Sequence, residues 1–223
     1  MPPLQLAVLA SGRGSNLQAI IDGIEKDRLP ACINIVISDC ADAFALKRAQ
    51  DHGIPWAYLD PRQYGNRQDY DRTLAKVVEE SRADLVVLAG FMRVLSTCFL
   101  ERFPHRVINI HPALLPSFPG MHGQKQALAY GVKISGCTVH FVDHGVDTGP
   151  IIAQRAVPVR DDDTEESLSL RILEQEHQLY TEVIGWIAQD RVEVVGRRVN
   201  IKEALIGKEG LDREKESHYQ RIR

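Results

Sequence analysis

The sequence predicts an α/β fold: a doubly wound, mostly parallel sheet with helices on both faces and an antiparallel C-terminal edge. Three observations predict it. Over the first half of the 223 residues, short apolar runs rich in β-branched residues alternate with segments of helical spacing, the pattern of parallel strands joined by crossover helices. The first of these runs passes straight into a glycine-rich turn and a helix start. Beyond residue 131, two longer strand-like runs follow one another with no helix between them, which suits an antiparallel addition at a sheet edge.

Composition sets the bounds. A chain that is 44% hydrophobic carries enough apolar material for a sizeable core in one domain. A net charge of −3 gives no bulk attraction to nucleic acid or to an anionic membrane. The four cysteines lack CxxC spacing. Cys32, Cys98 and Cys137 lie in apolar segments and read as small core residues, which fits a reducing, cytoplasmic compartment. The opening Met-Pro-Pro-Leu-Gln-Leu lacks the charged region of a signal peptide, and no apolar run is long enough for a membrane span.

Taken in order, Leu4 to Ala10 reads as a buried first strand. Ser11-Gly12-Arg13-Gly14-Ser15-Asn16 follows, and Leu17, Ile20, Ile21 and Ile24 mark a helix, with Ser15 or Asn16 as its N-cap. Ile33–Ser38 is a second strand. Residues 41–52 form a helix closed by Gly53, and Ile54–Leu59 is a short third strand. A polar loop over Asp60–Asp69 leads to a helix from Tyr70 to Ser81, then to a strand at Leu85–Ala89. Ser96 caps a short helix, and Val107, Ile108 and Ile110 build the strand 107–111. A short helix spans Gln124–Tyr130. Lys133–Val142 and Pro150–Val159 are the two edge strands, and Thr164 caps a long helix to Gln189 with Glu165 and Glu166 in its first turn. Residues 192–201 form a hairpin. Residues 1–201 thus make one domain, and 202–223 a charged tail that frays.

Two places carry chemistry. A strand, a glycine-rich turn and a helix start form a phosphate-binding device, because free N–H groups and the positive end of the helix dipole face the ligand. The fingerprint departs from a dinucleotide site, since Leu17 stands at the third glycine, and no GK[ST] follows as in a Walker loop. The second place is the end of strand 107–111. Asn109 and His111 lie two apart, so their side chains share one face. Pro112 stops the strand at its carboxyl end, where open α/β sheets bind ligands. The loop Asp143-His144-Gly145-Val146-Asp147-Thr148-Gly149 offers a carboxylate to fix the His111 tautomer and stabilise its charge. Asp147 is the better placed, beside Gly149 and Pro150, and Asp143 the weaker candidate. The grouping of His140, Asp143, His144 and Asp147 lacks the helix or the spacing of a metal site, so no metal is expected.

Four segments in register, Ser11–Ile20, Leu88–Leu95, Asn109–Pro116 and Gly136–Pro150, resemble the folate-dependent formyltransferase family, and within it the phosphoribosylglycinamide formyltransferases of purine synthesis. The resemblance runs from about residue 4 to 201. It implies a Rossmann-like domain in which residues 1–111 bind the ribonucleotide phosphate and 112–201 complete the folate and catalytic site. The implied substrates are 10-formyltetrahydrofolate, as co-substrate, and 5-phosphoribosylglycinamide. No nucleic acid, membrane or metal is implied, and a homodimer is compatible with it. Carried over residue by residue, the resemblance makes Asn109, His111 and Asp147 catalytic. Gly14, Ser15, Asn16 and Glu176 would hold the ribonucleotide. Arg67, Met92, Arg93, Val94 and Leu95 would bind the folate together with Asn109, Asp143, His144, Gly145, Val146 and Asp147. The family loop varies at Arg13, and Thr138 stands where a serine is familiar.

Three rivals are weaker. An NAD-type dehydrogenase, with Asp39 as the ribose-binding acid, needs the glycine that Leu17 replaces. A non-enzymatic nucleotide-binding module leaves Asn109, His111 and Asp147 without a purpose. A formyl carrier acting on water or aminoacyl-tRNA shares the Asn109–His111 motif, but the glycine-rich loop, and for tRNA the scattered basic residues, count against it.

Overall fold

The computed structural model describes residues 2–203. Its strands are β1 (Leu4–Leu9), β2 (Ala31–Ser38), β3 (Trp56–Tyr58), β4 (Leu85–Leu88), β5 (Val107–His111), β6 (Ile134–Phe141), β7 (Ile151–Pro158), β8 (Val192–Val195) and β9 (Arg198–Ile201). The first seven form one sheet in the order β3-β2-β1-β4-β5-β6-β7, and the last two pair as a separate hairpin. Strands β1 to β5 run parallel. Strand β6 is antiparallel to β5, and β7 to β6. The chain winds outward one way from β1 to β2 and the other way to β4, so a switch point opens at the carboxyl ends of β1 and β4.

Alternation along the strands explains the two layers of helices. The helices are α1 (Ser15–Glu25), α2 (Phe44–Asp51), α3 (Arg67–Glu80), α4 (Thr97–Leu100), α5 (Gly123–Tyr130) and α6 (Glu165–Ala188). Leu6 and Val8 of β1 pack with Leu17, Ile20, Ala45, Ile172 and Val183, on the side of α1, α2 and α6. Ala7 and Leu9 face the other way, onto Tyr70, Leu74 and Phe99 of α3 and α4. The period of two in a strand sorts its side chains between two cores. The fully buried Tyr180 of α6 fastens its helix to the sheet centre, its single hydroxyl hydrogen shared between the carbonyls of Leu88 at 2.9 Å and Ile108 at 3.1 Å.

Several boundaries differ from the sequence reading. The N-cap of α1 is Gly14, in the left-handed region at φ 67°, and no side chain caps it; Ser15 and Asn16 already lie inside the helix. Helix α3 starts at Arg67 instead of Tyr70, because Asn66 accepts the Asp69 N–H at 3.0 Å and sets the N-terminus there. Ser96 occupies the N-cap of α4, but its hydroxyl meets the Cys98 sulfur at 3.0 Å instead of a helix N–H. Of the cysteines read as core, Cys137 is buried, Cys98 half-buried and Cys32 exposed. The expectations for residues 133–142, 150–159, 165–189 and 192–201 hold to within about two residues. The seven-stranded sheet takes strands from both sides of residue 111, and the tail beyond Glu203 lies outside the described residues. Among the described residues no helix is long and apolar enough to cross a membrane.

Candidate active site

The parity of β5 places its chemistry. Ile108 and Ile110 pack into one core and Val107 into the other, so Asn109 and His111 project from the Val107 face at the strand's carboxyl end. Opposite them, antiparallel β6 pairs Asn109 with His140 and His111 with Thr138. The His140 ring nitrogen Nδ1 lies 2.8 Å from the Phe141 carbonyl, which can only accept, so Nδ1 carries the hydrogen. The Asn109 amide nitrogen lies 3.3 Å from Nε2 of the same ring, with one of its N–H groups directed there. One N–H of the amide is thereby fixed and the other is left for a ligand oxygen.

His111 is buried, with Nε2 at 2.8 Å from the Phe118 carbonyl and Nδ1 at 3.3 Å from Asp147 Oδ2. A neutral imidazole has one N–H for these two acceptors, so both contacts are completed only when the ring is protonated. Burial opposes that charge. It pushes the His111 pKa below the ordinary 6.5 even though the Asp147 carboxylate and the Phe118 carbonyl pull it back up. From the sequence Asp147 is expected to hold the ring charged; in the structure burial works against that pull on the same ring. The ring takes a proton at a site already lined to receive one.

Asp147 is the carboxylate that reaches His111. Burial pushes its carboxyl up, but contact with His140, the Gly120 N–H at 2.7 Å and the charge of His111 outweigh that, leaving it below 3.8 and ionised. Its second oxygen lies 3.6 Å from His140 Nε2. The loop is shaped for this position: Asp147 is left-handed at φ 55°, and a Cβ on Gly149 would fall 1.8 Å from the Phe141 oxygen. Asp143, the alternative, uses its carboxylate within the loop, accepting from the Thr148 hydroxyl at 2.6 Å and the Gly145 N–H at 3.1 Å.

These groups open on a cleft of about 350 Å³. One wall is the segment Met92, Arg93, Val94 and Leu95 beyond β4, and Asp143, Gly145 and Val146 form another. Met92, Val94, Met121 and Val146 expose apolar surface at its rim. His144 and Arg67, both exposed, do not line it. His140, which does, was missed as a site residue by the sequence reading.

A second cleft, about 630 Å³, lies against the glycine-rich loop and is lined by Ser15, Glu176, Arg13 and Gln124. The Asn16 amide donates to Glu176 Oε2 at 3.0 Å, both side chains being buried. Burial pushes the Glu176 carboxyl from 4.5 up to about 7, against the pull of Asn16. Gly14 cannot be replaced without strain: its φ is positive, and a Cβ would meet the Ala45 Cβ at 2.8 Å. Gly120, Met121 and His122 border the first cleft and Gln124 the second, so the two meet along that segment. Among the described residues no group of three or more His, Cys, Asp or Glu side chains is placed to hold a metal ion.

Fold and site together define an α/β enzyme with its polar groups at the carboxyl ends of parallel strands, on either side of a switch point. The comparisons with known proteins are consistent with that. Residues 4–184 match the family model described as formyl transferase, and the chain belongs to this family. It is 43% identical over 191 residues to the phosphoribosylglycinamide formyltransferase of Escherichia coli, covering 86% of this chain and 90% of that protein. It is 47% identical over 185 residues to the trifunctional purine biosynthetic protein adenosine-3 of Drosophila melanogaster, covering 82% of this chain but only 14% of that longer protein. The crystal structure of glycinamide ribonucleotide transformylase 1 from Symbiobacterium toebii superposes with a TM-score of 0.89 at 49% identity, covering 90% of this chain and 95% of that one.

Proposed function

We propose that this chain transfers the formyl group of 10-formyltetrahydrofolate to the amine of 5-phosphoribosylglycinamide, giving the formylated ribonucleotide and tetrahydrofolate in purine biosynthesis. The observation that carries the reading is the group Asn109, His111, Asp147 and His140, set where a cleft with an apolar rim meets a cleft built on a phosphate-type helix start. The first cleft suits a flat ring, with backbone groups of Met92 to Leu95 and Asp143 to Asp147 at its edges. The second suits a phosphate at the N–H groups of Gly14, Ser15 and Asn16, with Glu176 against the rest of the ribonucleotide. Arg67 and His144, carried over by resemblance, stand away from the cleft and are proposed only as contacts of an extended folate tail.

The chemistry follows from charge. Attack of the amine on the formyl carbon builds negative charge on the formyl oxygen, and donors aimed at that oxygen lower the barrier. The free N–H of Asn109 is one donor, and a protonated His111 is the other once its Nε2 hydrogen turns from the Phe118 carbonyl to the formyl oxygen. The attacking amine sheds a proton as the new C–N bond forms, and the folate nitrogen gains one as the old C–N bond breaks, so one proton moves and none is lost. His111 is suited to carry it, because its two ring nitrogens face the Phe118 carbonyl and Asp147, and both contacts favour the charged ring. Glu176 and Asn16 hold the amine-bearing substrate in place, which converts a bimolecular encounter into an oriented one.

The test is an acceptor panel. With 10-formyltetrahydrofolate supplied, phosphoribosylglycinamide should be formylated, methionyl-tRNA should not, and only trace formate should appear with water alone. Rapid tetrahydrofolate release without an amine would assign the chain to hydrolysis instead.

A further inference from the structure

Ser11 stands at the switch point between the two clefts and is engaged with both of the segments that meet there. It opens the glycine-rich loop. Its backbone N–H donates to the Gly90 carbonyl at 2.9 Å, and its hydroxyl oxygen accepts the Met92 N–H, also at 2.9 Å. Two bonds from one residue thus hold both ends of the turn Gly90-Phe91-Met92, in which Gly90 is left-handed at φ 78°. The adjacent Ala89 N–H is already bound to Leu9, so the strand ladder ends there and Ser11 continues it beyond β1. Without the hydroxyl, the Met92 N–H loses its partner, at the first residue of the segment that walls the folate cleft.

We infer that Ser11 is a positioning residue for the Met92–Leu95 segment, presetting the folate cleft from the loop that holds the ribonucleotide phosphate. This inference rests on the function proposed above. Its hydroxyl acts through Met92 and not on the phosphate, so losing it weakens the folate substrate selectively. The backbone bond from Ser11 to Gly90 survives any side-chain change, and the expected loss is therefore that of a single hydrogen bond, roughly 3- to 10-fold in folate affinity.

The experiment compares wild type with Ser11→Ala and Ser11→Thr, the latter keeping the hydroxyl. Dissociation constants for a stable 10-formyl folate analogue and for phosphoribosylglycinamide are measured by titration, with thermal melting as the control for folding. Amide hydrogen exchange at Met92 provides a readout independent of any ligand. Ser11→Ala should exchange faster at Met92 and lose roughly 3- to 10-fold in folate affinity with ribonucleotide affinity unchanged, and Ser11→Thr should restore both. If Ser11→Ala is too unstable to titrate, exchange at Met92 in Ser11→Thr decides: protection at the wild-type level supports the inference, and its loss overturns it. Unchanged exchange in Ser11→Ala, or equal loss for both ligands, also overturns it. A wild-type protein that binds neither ligand would instead reject the proposed function, leaving the exchange result to judge Ser11 alone.

Discussion

Replacing Glu176 with glutamine should make the protein more stable at alkaline pH and leave it little changed at acidic pH. The side chain is 7% exposed, and burial raises its carboxyl from 4.5 to about 7. A carboxyl whose folded-state pKa lies above its unfolded value favours the fold in its protonated form. That contribution is fully present below pH 4.5 and is lost as pH rises through 7. At about 1.36 kcal/mol per pKa unit, the displacement corresponds to roughly 3 kcal/mol in all. Between pH 5 and pH 8, roughly 2–3 kcal/mol of it should disappear. Glu176→Gln keeps an oxygen for the Asn16 amide but has no charge to bury, so it escapes this loss. Thermal or denaturant unfolding of both proteins at pH 5 and pH 8 measures the difference, since every other titrating group is common to the two. The gap should widen in favour of the glutamine variant by about 5–10 °C, taking about 2–4 °C per kcal/mol for a chain of this size. A gap that stays constant with pH would refute the argument and show that the carboxylate is solvated in the folded protein.

The remaining expectations concern the other groups. Asp147→Asn should lower turnover by about 10²–10⁴-fold, and His111→Ala combined with it should be little worse than the worse single change, because the two act as a unit; losses that multiply would separate them. In Asp147→Asn the His111 pKa, followed by NMR titration of the ring, should fall further below 6.5, since a carboxylate that raises it is gone; an upward movement would contradict the assigned contact. Gly14→Ala should raise the Michaelis constant for the ribonucleotide while folate binding by titration stays the same, with about 1–2 kcal/mol of stability lost to the left-handed backbone and more to the Ala45 contact. Tyr180→Phe should cost about 1 kcal/mol in denaturant unfolding, because one hydroxyl hydrogen serves two carbonyls and one net bond is removed.

Much of this was legible in the sequence wherever local chemistry decides the structure. The capping of α6 by Thr164 follows from a polar cap ahead of an apolar period, and its hydroxyl does accept the Ser167 N–H at 3.1 Å. The end of β5 follows from Pro112. The pairing of His111 with a loop acid also follows, and a preference for Asp147 over Asp143 was available from Gly149 and Pro150. What the sequence concealed depends on register and burial. His140 meets Asn109 only because β6 pairs antiparallel to β5 with these residues opposite one another, and an apolar strand carrying a histidine does not announce its register. The burial that opposes charge on His111, and the Phe118 carbonyl that favours it, come from a loop whose path no local pattern reveals. Asn66 hid the start of α3 because a polar cap in a polar run resembles more loop. Glu176 and Asn16 lie 160 residues apart and come together only when α1 and α6 pack side by side; spacing alone could not have joined them.

The most direct measurement of the central claim follows the formyl carbon itself. With 10-formyltetrahydrofolate carrying ¹³C in the formyl group, a single turnover in the presence of phosphoribosylglycinamide should move the labelled resonance to an amide on the glycine nitrogen, with one tetrahydrofolate formed per label transferred. Label appearing as free formate while the ribonucleotide remains unmodified would contradict it.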